Sequence, residues 1–271
     1  LDSSITALVI RDEAVPALPL PSNPTLVFSP ALIRHRPPVR GRIFNGYPLS
    51  KSEEYNALQR AGIPVPKWAL LSEDHFPDLS EFDDYLVRKP DHGGRGAEVK
   101  IVRKSRVKWD QITTRSAGTS PALILQQFIY TGPQPVCYRV TTLFGKVLSS
   151  HRYERRDPVS ALSSPNDFRL GGRSIVATTR GCKVQLNYEE DIIQLGELAH
   201  AALPNIPLLG FDIVREVPSG KLFVLEANAI GYVWHFSPEI DASFGFSSEG
   251  QFDGMRKAAY ILAEKTQQFA D

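Results

Sequence analysis

Gly210-Phe211-Asp212-Ile213-Val214 and Leu225-Glu226-Ala227-Asn228 decide how the rest of the chain is read. Both lie in apolar runs, Leu208–Val214 and Lys221–Ala227, joined through Pro218-Ser219-Gly220, and this pattern predicts two strands and a hairpin turn. Side chains alternate along a strand, so Glu226 and Asn228 point to one face. Antiparallel pairing across a short turn brings Asp212 beside them. Two carboxylates and one amide, all oxygen donors, suit Mg²⁺, a hard ion that completes its shell with phosphate oxygens. The alternative is a solvated polar face. The carboxylates interrupt strongly apolar strands, however, and burying two of them unpaired costs several kcal/mol without a cation. Asp212, Glu226 and Asn228 are therefore the expected metal ligands.

Upstream, Tyr85-Leu86-Val87-Arg88-Lys89 reads as a strand stopped by Pro90. The turn His92-Gly93-Gly94-Arg95-Gly96 follows, and Val99–Val102 resumes as a strand. Strand, glycine turn, strand is a hairpin, not the strand-to-helix setting of a dinucleotide or P-loop site. Lys89 could meet a phosphate as a point charge. The glycines could fold over a nucleotide or simply make a tight turn. Between 49 and 85, Ser50-Lys51-Ser52-Glu53 is a capping box that opens a helix, and Gly62 suits its C-terminal end. Ile63-Pro64-Val65-Pro66 then runs extended, and Trp68–Leu71 reads as a strand.

Eight of the 21 prolines fall in residues 1–48, which leaves room only for short strands such as Thr6–Ile10 and Thr25–Phe28. Residues 105–116 read as a short helix capped by Ser105. Ala122–Ile129 reads as a strand, Val136–Ser149 as two strands about Gly145-Lys146, Glu189–Leu203 as an amphipathic helix and Gly254–Phe269 as a last helix. Residues 151–183 are basic, a loop that could line a site for an anion or could be merely solvated. Hairpins rather than βαβ units make the fold class α+β.

The 271 residues suffice for one or two domains, and a 42% hydrophobic content is enough to bury a core. A net charge of +1 argues against a nucleic-acid binder or an acidic-membrane binder. No apolar run approaches the ~18 residues of a spanning helix, and the first residues do not read as a secretion signal. Cys137 and Cys182 form no disulfide framework and have no zinc spacing, so both read as small buried apolar residues of a cytoplasmic protein.

Taken in order, the motifs resemble those of the ATP-grasp superfamily, nearest its ribosomal-protein-S6 glutamate ligase-like branch. The resemblance rests on Ser50-Lys51 with Ala61-Gly62-Ile63-Pro64-Val65-Pro66 and on Val87-Arg88-Lys89-Pro90 with Gly93-Gly94-Arg95-Gly96. It continues through Leu125-Gln126-Gln127-Phe128-Ile129, His151-Arg152, Gly210-Phe211-Asp212 and Leu225-Glu226-Ala227-Asn228. It implies two α+β subdomains clasping ATP, 49–130 and 131–271, behind a short N-terminal region, 1–48. It implies a carboxylate–amine ligase working through an acylphosphate, with ATP and Mg²⁺ (two ions) as cofactors, a small-molecule or peptide carboxylate and an amine as partners, and room for a homodimer.

By the same resemblance Lys51 and Lys89 contact phosphates, and Gly93, Gly94 and Gly96 form a flap. Gln126, Gln127, Phe128 and Ile129, with Leu225, hold the adenine. Arg152 faces the γ-phosphate, and Arg173 and Asn228 complete the catalytic set. Asn166 and Arg169 could line the acylphosphate. Two departures stand out. Pro133-Gln134-Pro135-Val136 carries no acid for the ribose, and Asn228 leads into Ala229-Ile230-Gly231-Tyr232-Val233-Trp234-His235-Phe236 rather than a Pro-Gly turn. Within that run His235 could touch substrate or simply pack against the aromatics.

Overall fold

Helix α1 (Lys51–Arg60) begins where the capping box predicts. Ser50 is extended, its Oγ accepts from the Glu53 N–H at 3.2 Å, and its own N–H donates to Glu53 Oε2 at 2.8 Å. Asp91 adds a second cap, accepting from the Ser52 N–H at 2.9 Å and from Ser52 Oγ at 3.0 Å. The start of α1 is thereby pinned to the end of the strand that carries Lys89. Gly62, at φ +73°, turns the chain out of the helix in the left-handed conformation that glycine adopts without strain.

The computed structural model describes Ile5 and residues 25–37, 39–94, 98–110, 112–114, 118–120, 122–156, 181–229 and 249–268, with backbone alone for 112–114 and 118–120. The expected strand Thr6–Ile10 lies outside the described residues. Strands β1 (Thr25–Ser29) and β2 (Gly41–Asn45) pair in parallel. A four-stranded antiparallel sheet runs β3-β8-β4-β5, from β3 (Trp68–Ser72), β8 (Ala122–Gln127), β4 (Tyr85–Pro90) and β5 (Lys100–Arg103). A five-stranded sheet runs β11-β10-β9-β12-β13. Its members are β9 (Val136–Leu143), β10 (Lys146–Arg155), β11 (Cys182–Leu186), β12 (Leu208–Arg215) and β13 (Leu222–Asn228). Helix α2 (Glu190–His200) packs on that sheet, and the last helix is Gly254–Gln268. Among the described residues no helix is long and apolar enough to cross a membrane.

One expectation fails. Among the described residues of 105–116 there is no α-helix: Lys104–Arg106 is a single 3₁₀ turn with Ser105 inside it, and β6 (Ile112–Thr114) pairs with β7 (Gly118–Ser120). Ile112, Thr113 and Thr114 are β-branched and stiff at χ1, which favours a strand. Besides β6 and β7, two strands went unread, β2 and β11, each short and carrying charge.

The main core crosses both sheets. Tyr55 and Leu58 of α1 and Ile124 of β8 pack with Val140, Ile192, Leu195, Phe211, Ile213 and Val224. This continuous cluster spans the expected division at 130/131. On α2 the buried stripe is Ile192, Leu195 and Ala199, whereas Leu198 is 62% exposed. Gly196 lets the helix approach β9, since a Cβ there would lie 2.6 Å from Val140 Cγ1. Substituting Gly196→Ala is expected to destabilise the fold by about 1–3 kcal/mol through overpacking, read by urea denaturation.

At the end of α2, His200 Nδ1 lies 2.7 Å from Thr142 Oγ1, and burial lowers the imidazole pKa to about 4. The folded state then binds this proton more weakly than the unfolded chain. Stability is full above pH 6.5 and falls by roughly 3 kcal/mol as pH drops towards 4. A His200→Gln variant should lose that part of the slope, so the difference between its melting temperature and that of the parent should narrow between pH 6.5 and 4. Parallel curves would contradict the assignment.

Candidate functional site

The hairpin of β12 and β13 forms as the alternation predicts. Asp212 sits opposite Glu226 and Gly210 opposite Asn228. Asn228 Nδ2 donates to the Gly210 carbonyl at 3.1 Å and lies 3.4 Å from Asp212 Oδ2. The register slips between Asp212 and Ile213, which pairs with Val224, so Leu225 is an extra, bulged residue. Two carboxylates and an amide thus share one spot. Among the described residues no group of three or more His, Cys, Asp or Glu side chains could hold a metal.

Two buried lysines converge on this strand from the other sheet and from α1. Lys51 Nζ lies 3.1 Å from Glu226 Oε1 and donates to the Gly93 carbonyl at 2.9 Å, joining the β12–β13 hairpin to the start of the glycine turn. Lys89 Nζ donates to Tyr55 Oη at 2.8 Å and to the Leu225 carbonyl at 3.3 Å. Burial lowers the Lys89 ammonium pKa to about 8, against the opposing pull of Glu226. Burial alone would raise the Glu226 carboxyl, but Lys51 and Lys89 together hold it below its ordinary value.

The Tyr55 hydroxyl reaches both Gln126 Oε1, at 2.6 Å, and the Leu225 carbonyl, at 2.7 Å. Its single proton serves one of them. Turning the Gln126 amide over lets Nε2 donate to the tyrosine oxygen and satisfies all three groups. Gln127 is held by Lys67: its N–H donates to the Lys67 carbonyl at 2.8 Å, and its Oε1 accepts from the Lys67 N–H at 3.3 Å. Ile129 is buried with Cys137 and Val214, and Phe223 and Leu225 pack against them. This apolar floor lies beside Asp212, because Val214 and Asp212 are two apart on β12 and share a face. Both cysteines are buried and free, as expected.

Arg139 was not anticipated. It sits on β9 directly opposite Asp212 and grips both carboxylate oxygens, Nε to Oδ1 and Nη2 to Oδ2, each at 2.8 Å. Burial disfavours its charge, but the Asp212 carboxylate more than compensates and pushes the guanidinium pKa up. The signal in sequence was the one that flagged Asp212, a charge interrupting an apolar strand. Glu54 was also missed. It is buried, and its Oε2 accepts from the Ala227 N–H at 3.2 Å. Burial, and then the nearby Glu226, raise its pKa.

Arg152 requires a correction. Glu226, Asp212, Arg139 and His151 form one cross-strand row and share a face. Arg152 is the next residue along β10, opposite Tyr138, which is opposite Ile213, and both belong to the core packed against α2. It therefore sits on the other face, bonded to Glu154 at 2.7 Å. Tyr153 takes the site side; burial raises its pKa to about 12, with Arg139 and Asp212 close enough to influence it. Gly94 is exposed with open space around it. Gly96, Arg173, Asn166, Arg169, Tyr232, Trp234 and His235 lie outside the described residues.

The architecture is that of known ligases. The crystal structure of D-cycloserine synthetase DcsG matches with a TM-score of 0.54 and 18% identity, over 83% of this chain and 75% of that one. ATP-grasp ligase PsnB, complexed with minimal precursor, Mg and ADP, matches with a TM-score of 0.50 and 18% identity, over 84% of this chain and 63% of that one. No family profile and no curated protein sequence matches the chain. The chain has the ATP-grasp fold, in its α+β form.

Removing Arg139 should leave Asp212 partly buried and unpaired. Arg139→Met is expected to cost about 2–3 kcal/mol, and the double variant with Asp212→Asn less than the sum of the singles, with a coupling of about 0.5–3 kcal/mol in urea denaturation. Simple additivity would show that the pair contributes nothing to the fold.

Proposed function

We propose that the chain is an ATP-dependent carboxylate–amine ligase, which forms an amide through an acylphosphate and releases ADP and phosphate. One observation carries the reading. On the ATP-grasp fold, the buried Lys51 and Lys89 converge on the strand bearing Glu226, opposite Asp212 and beside Asn228. Two solved structures that match are a synthetase and a ligase by name, which supports the class at the level of the fold. The carboxylate would belong to a small molecule or a peptide, in a cytoplasmic enzyme.

In this reading a substrate carboxylate oxygen attacks the γ-phosphorus, the bond to the ADP oxygen breaks, and an acylphosphate forms. The amine nitrogen then attacks the acyl carbon, phosphate leaves with the bonding pair, and the nitrogen loses its proton to solvent. Lys51 and Lys89 are already poised as donors and would turn from their present partners to phosphate oxygens. Ile129, Cys137, Val214, Phe223 and Leu225 supply an apolar floor for the base, with Gln126, Gln127 and Phe128 at its rim. Gly93, Gly94 and Gly96 would cover the phosphates and keep water from the acylphosphate. Arg173 keeps its proposed place in the catalytic set, toward the acylphosphate or an acidic substrate, whereas Arg152, on the other face of the sheet, has none.

Asp212, Glu226 and Asn228 fit Mg²⁺, since all three offer oxygen and phosphates would complete the shell. When bound, the metal neutralises charge on the transferring phosphoryl group. The bidentate Arg139–Asp212 pair favours a second reading, a nucleotide-binding module without turnover, because a guanidinium already neutralises that carboxylate.

Thermal melts with MgATP, ATP plus EDTA, and MgGTP test the binding step. Saturation at about 100 times the dissociation constant adds roughly 2.7 kcal/mol, so MgATP should raise the melting temperature by several degrees and EDTA should abolish the rise. No shift with any nucleotide would reject both readings. Glu226→Gln should remove turnover with the fold intact. Acceptor-dependent ADP release separates ligase from binder.

A further inference from the structure

Strand β13 is the edge of its sheet, so its outward backbone groups need partners from elsewhere. The Pro64 carbonyl accepts from the Val224 N–H at 2.9 Å, and helix α1 serves the Leu225 carbonyl and the Ala227 N–H. Tyr55 Oη reaches the Leu225 carbonyl at 2.7 Å, and Glu54 Oε2 accepts from the Ala227 N–H at 3.2 Å. These two groups flank Glu226, whose carboxylate is met by Lys51 at 3.1 Å. Lys51, Glu54 and Tyr55 stand at i, i+3 and i+4, one face of one helical turn. That turn grips the Glu226 side chain and the backbone on either side of it. The contact falls next to the bulge at Leu225, where the ladder to β12 is broken and the strand could otherwise shift.

Stability alone does not ask for a carboxylate at position 54. Glu54 is 5% exposed and lies near Glu226, which is of like charge. An apolar side chain of that length would fill the space without the burial cost. What the carboxylate adds is an acceptor for the Ala227 N–H.

We propose that Glu54, aided by Tyr55, is a positioning residue for Glu226, holding the backbone around it so that its carboxylate stays on the Asp212 face when ligands take over the Lys51–Glu226 pair. The inference rests on the proposed nucleotide and metal site. The ion pair must open if Lys51 turns to phosphate and Glu226 to a cation, whereas the Glu54–Ala227 and Tyr55–Leu225 bonds can persist. The joint between α1 and β13 thus outlasts the exchange.

The test compares Glu54→Met, which keeps length and loses the acceptor, with Glu54→Gln, which keeps an amide oxygen for Ala227. Mn²⁺ binding in the presence of ADP is followed by electron paramagnetic resonance, and ADP binding in EDTA is measured separately. Hydrogen exchange of the Ala227 amide is recorded without ligand. Glu54→Met should weaken Mn²⁺ affinity on the order of 10- to 100-fold, as loss of a group that orients a metal ligand does. It should also speed exchange at Ala227 and leave metal-free ADP affinity unchanged. Glu54→Gln should restore both properties to near the parent values. Equal impairment of the two variants would replace the hydrogen-bond role with a charge role and overturn the proposal, as would parental Mn²⁺ affinity in Glu54→Met. If the parent chain binds ADP but both variants bind Mn²⁺ as it does, only this inference falls. If the parent binds neither ADP nor Mn²⁺, the functional reading falls and takes the inference with it.

Discussion

Charge balance at the junction of the two sheets is the constraint on which the site depends. Lys51, Lys89 and Arg139 meet Glu54, Glu226 and Asp212 there, the first two and Glu54 buried and the others half-buried, and the Lys51–Glu226 and Arg139–Asp212 pairs are in direct contact. An unpaired charge there costs free energy, so Lys51 and Glu226, and Arg139 and Asp212, offset one another's burial. The cluster also explains why α1 sits between the sheets. Its apolar side, Tyr55 and Leu58, completes the shared core, while its polar side delivers Lys51 and Glu54 to β13. The same turn of helix therefore ties packing to chemistry.

The small β1–β2 pair is joined to the site by a close approach of backbones. A Cβ on Gly46 would lie 2.2 Å from the Ala229 carbonyl oxygen, so only glycine lets the end of β2 reach the residue after Asn228. The parallel strands end at this point, the Gly46 N–H donating to the Ser29 carbonyl at 3.3 Å. The β1–β2 pair is thus docked at the end of the β12–β13 hairpin, although the sequence around it reads as little more than an irregular approach.

What was legible in the sequence was local. The capping box, the glycine exit at Gly62 and the hairpins about Gly145 and Gly220 follow from rules that span a few residues, and alternation alone put Asp212, Glu226 and Asn228 together. What was not legible depended on pairing between distant segments. Arg139 meets Asp212 across 73 positions, and nothing near either residue announces the partner. Glu54 reads as an ordinary helix-surface acid until β13 is placed over it, 173 positions away. Arg152 shows how fine the margin is. Strand parity changes sides at every residue, so a motif assigned one position off points at the opposite face. His151 and Tyr153 took the site side that the His-Arg pair had been expected to fill with an arginine.

The Arg139–Asp212 pair also bears on how a metal would arrive. Both Asp212 oxygens already accept charge-assisted bonds, so a cation gains less from this carboxylate than from Glu226, which among the described residues is paired with a single lysine point charge. Glu226 and Asn228 are then the natural first contacts, with Asp212 joining by sharing its remaining lone pairs while Arg139 stays in place. Arg139 thereby fixes the orientation of Asp212 before any ligand is present, as Glu54 and Tyr55 fix the backbone of Glu226. The two carboxylates are preorganised by different means, one through its side chain and the other through its main chain, and both restraints come from elements other than the hairpin itself.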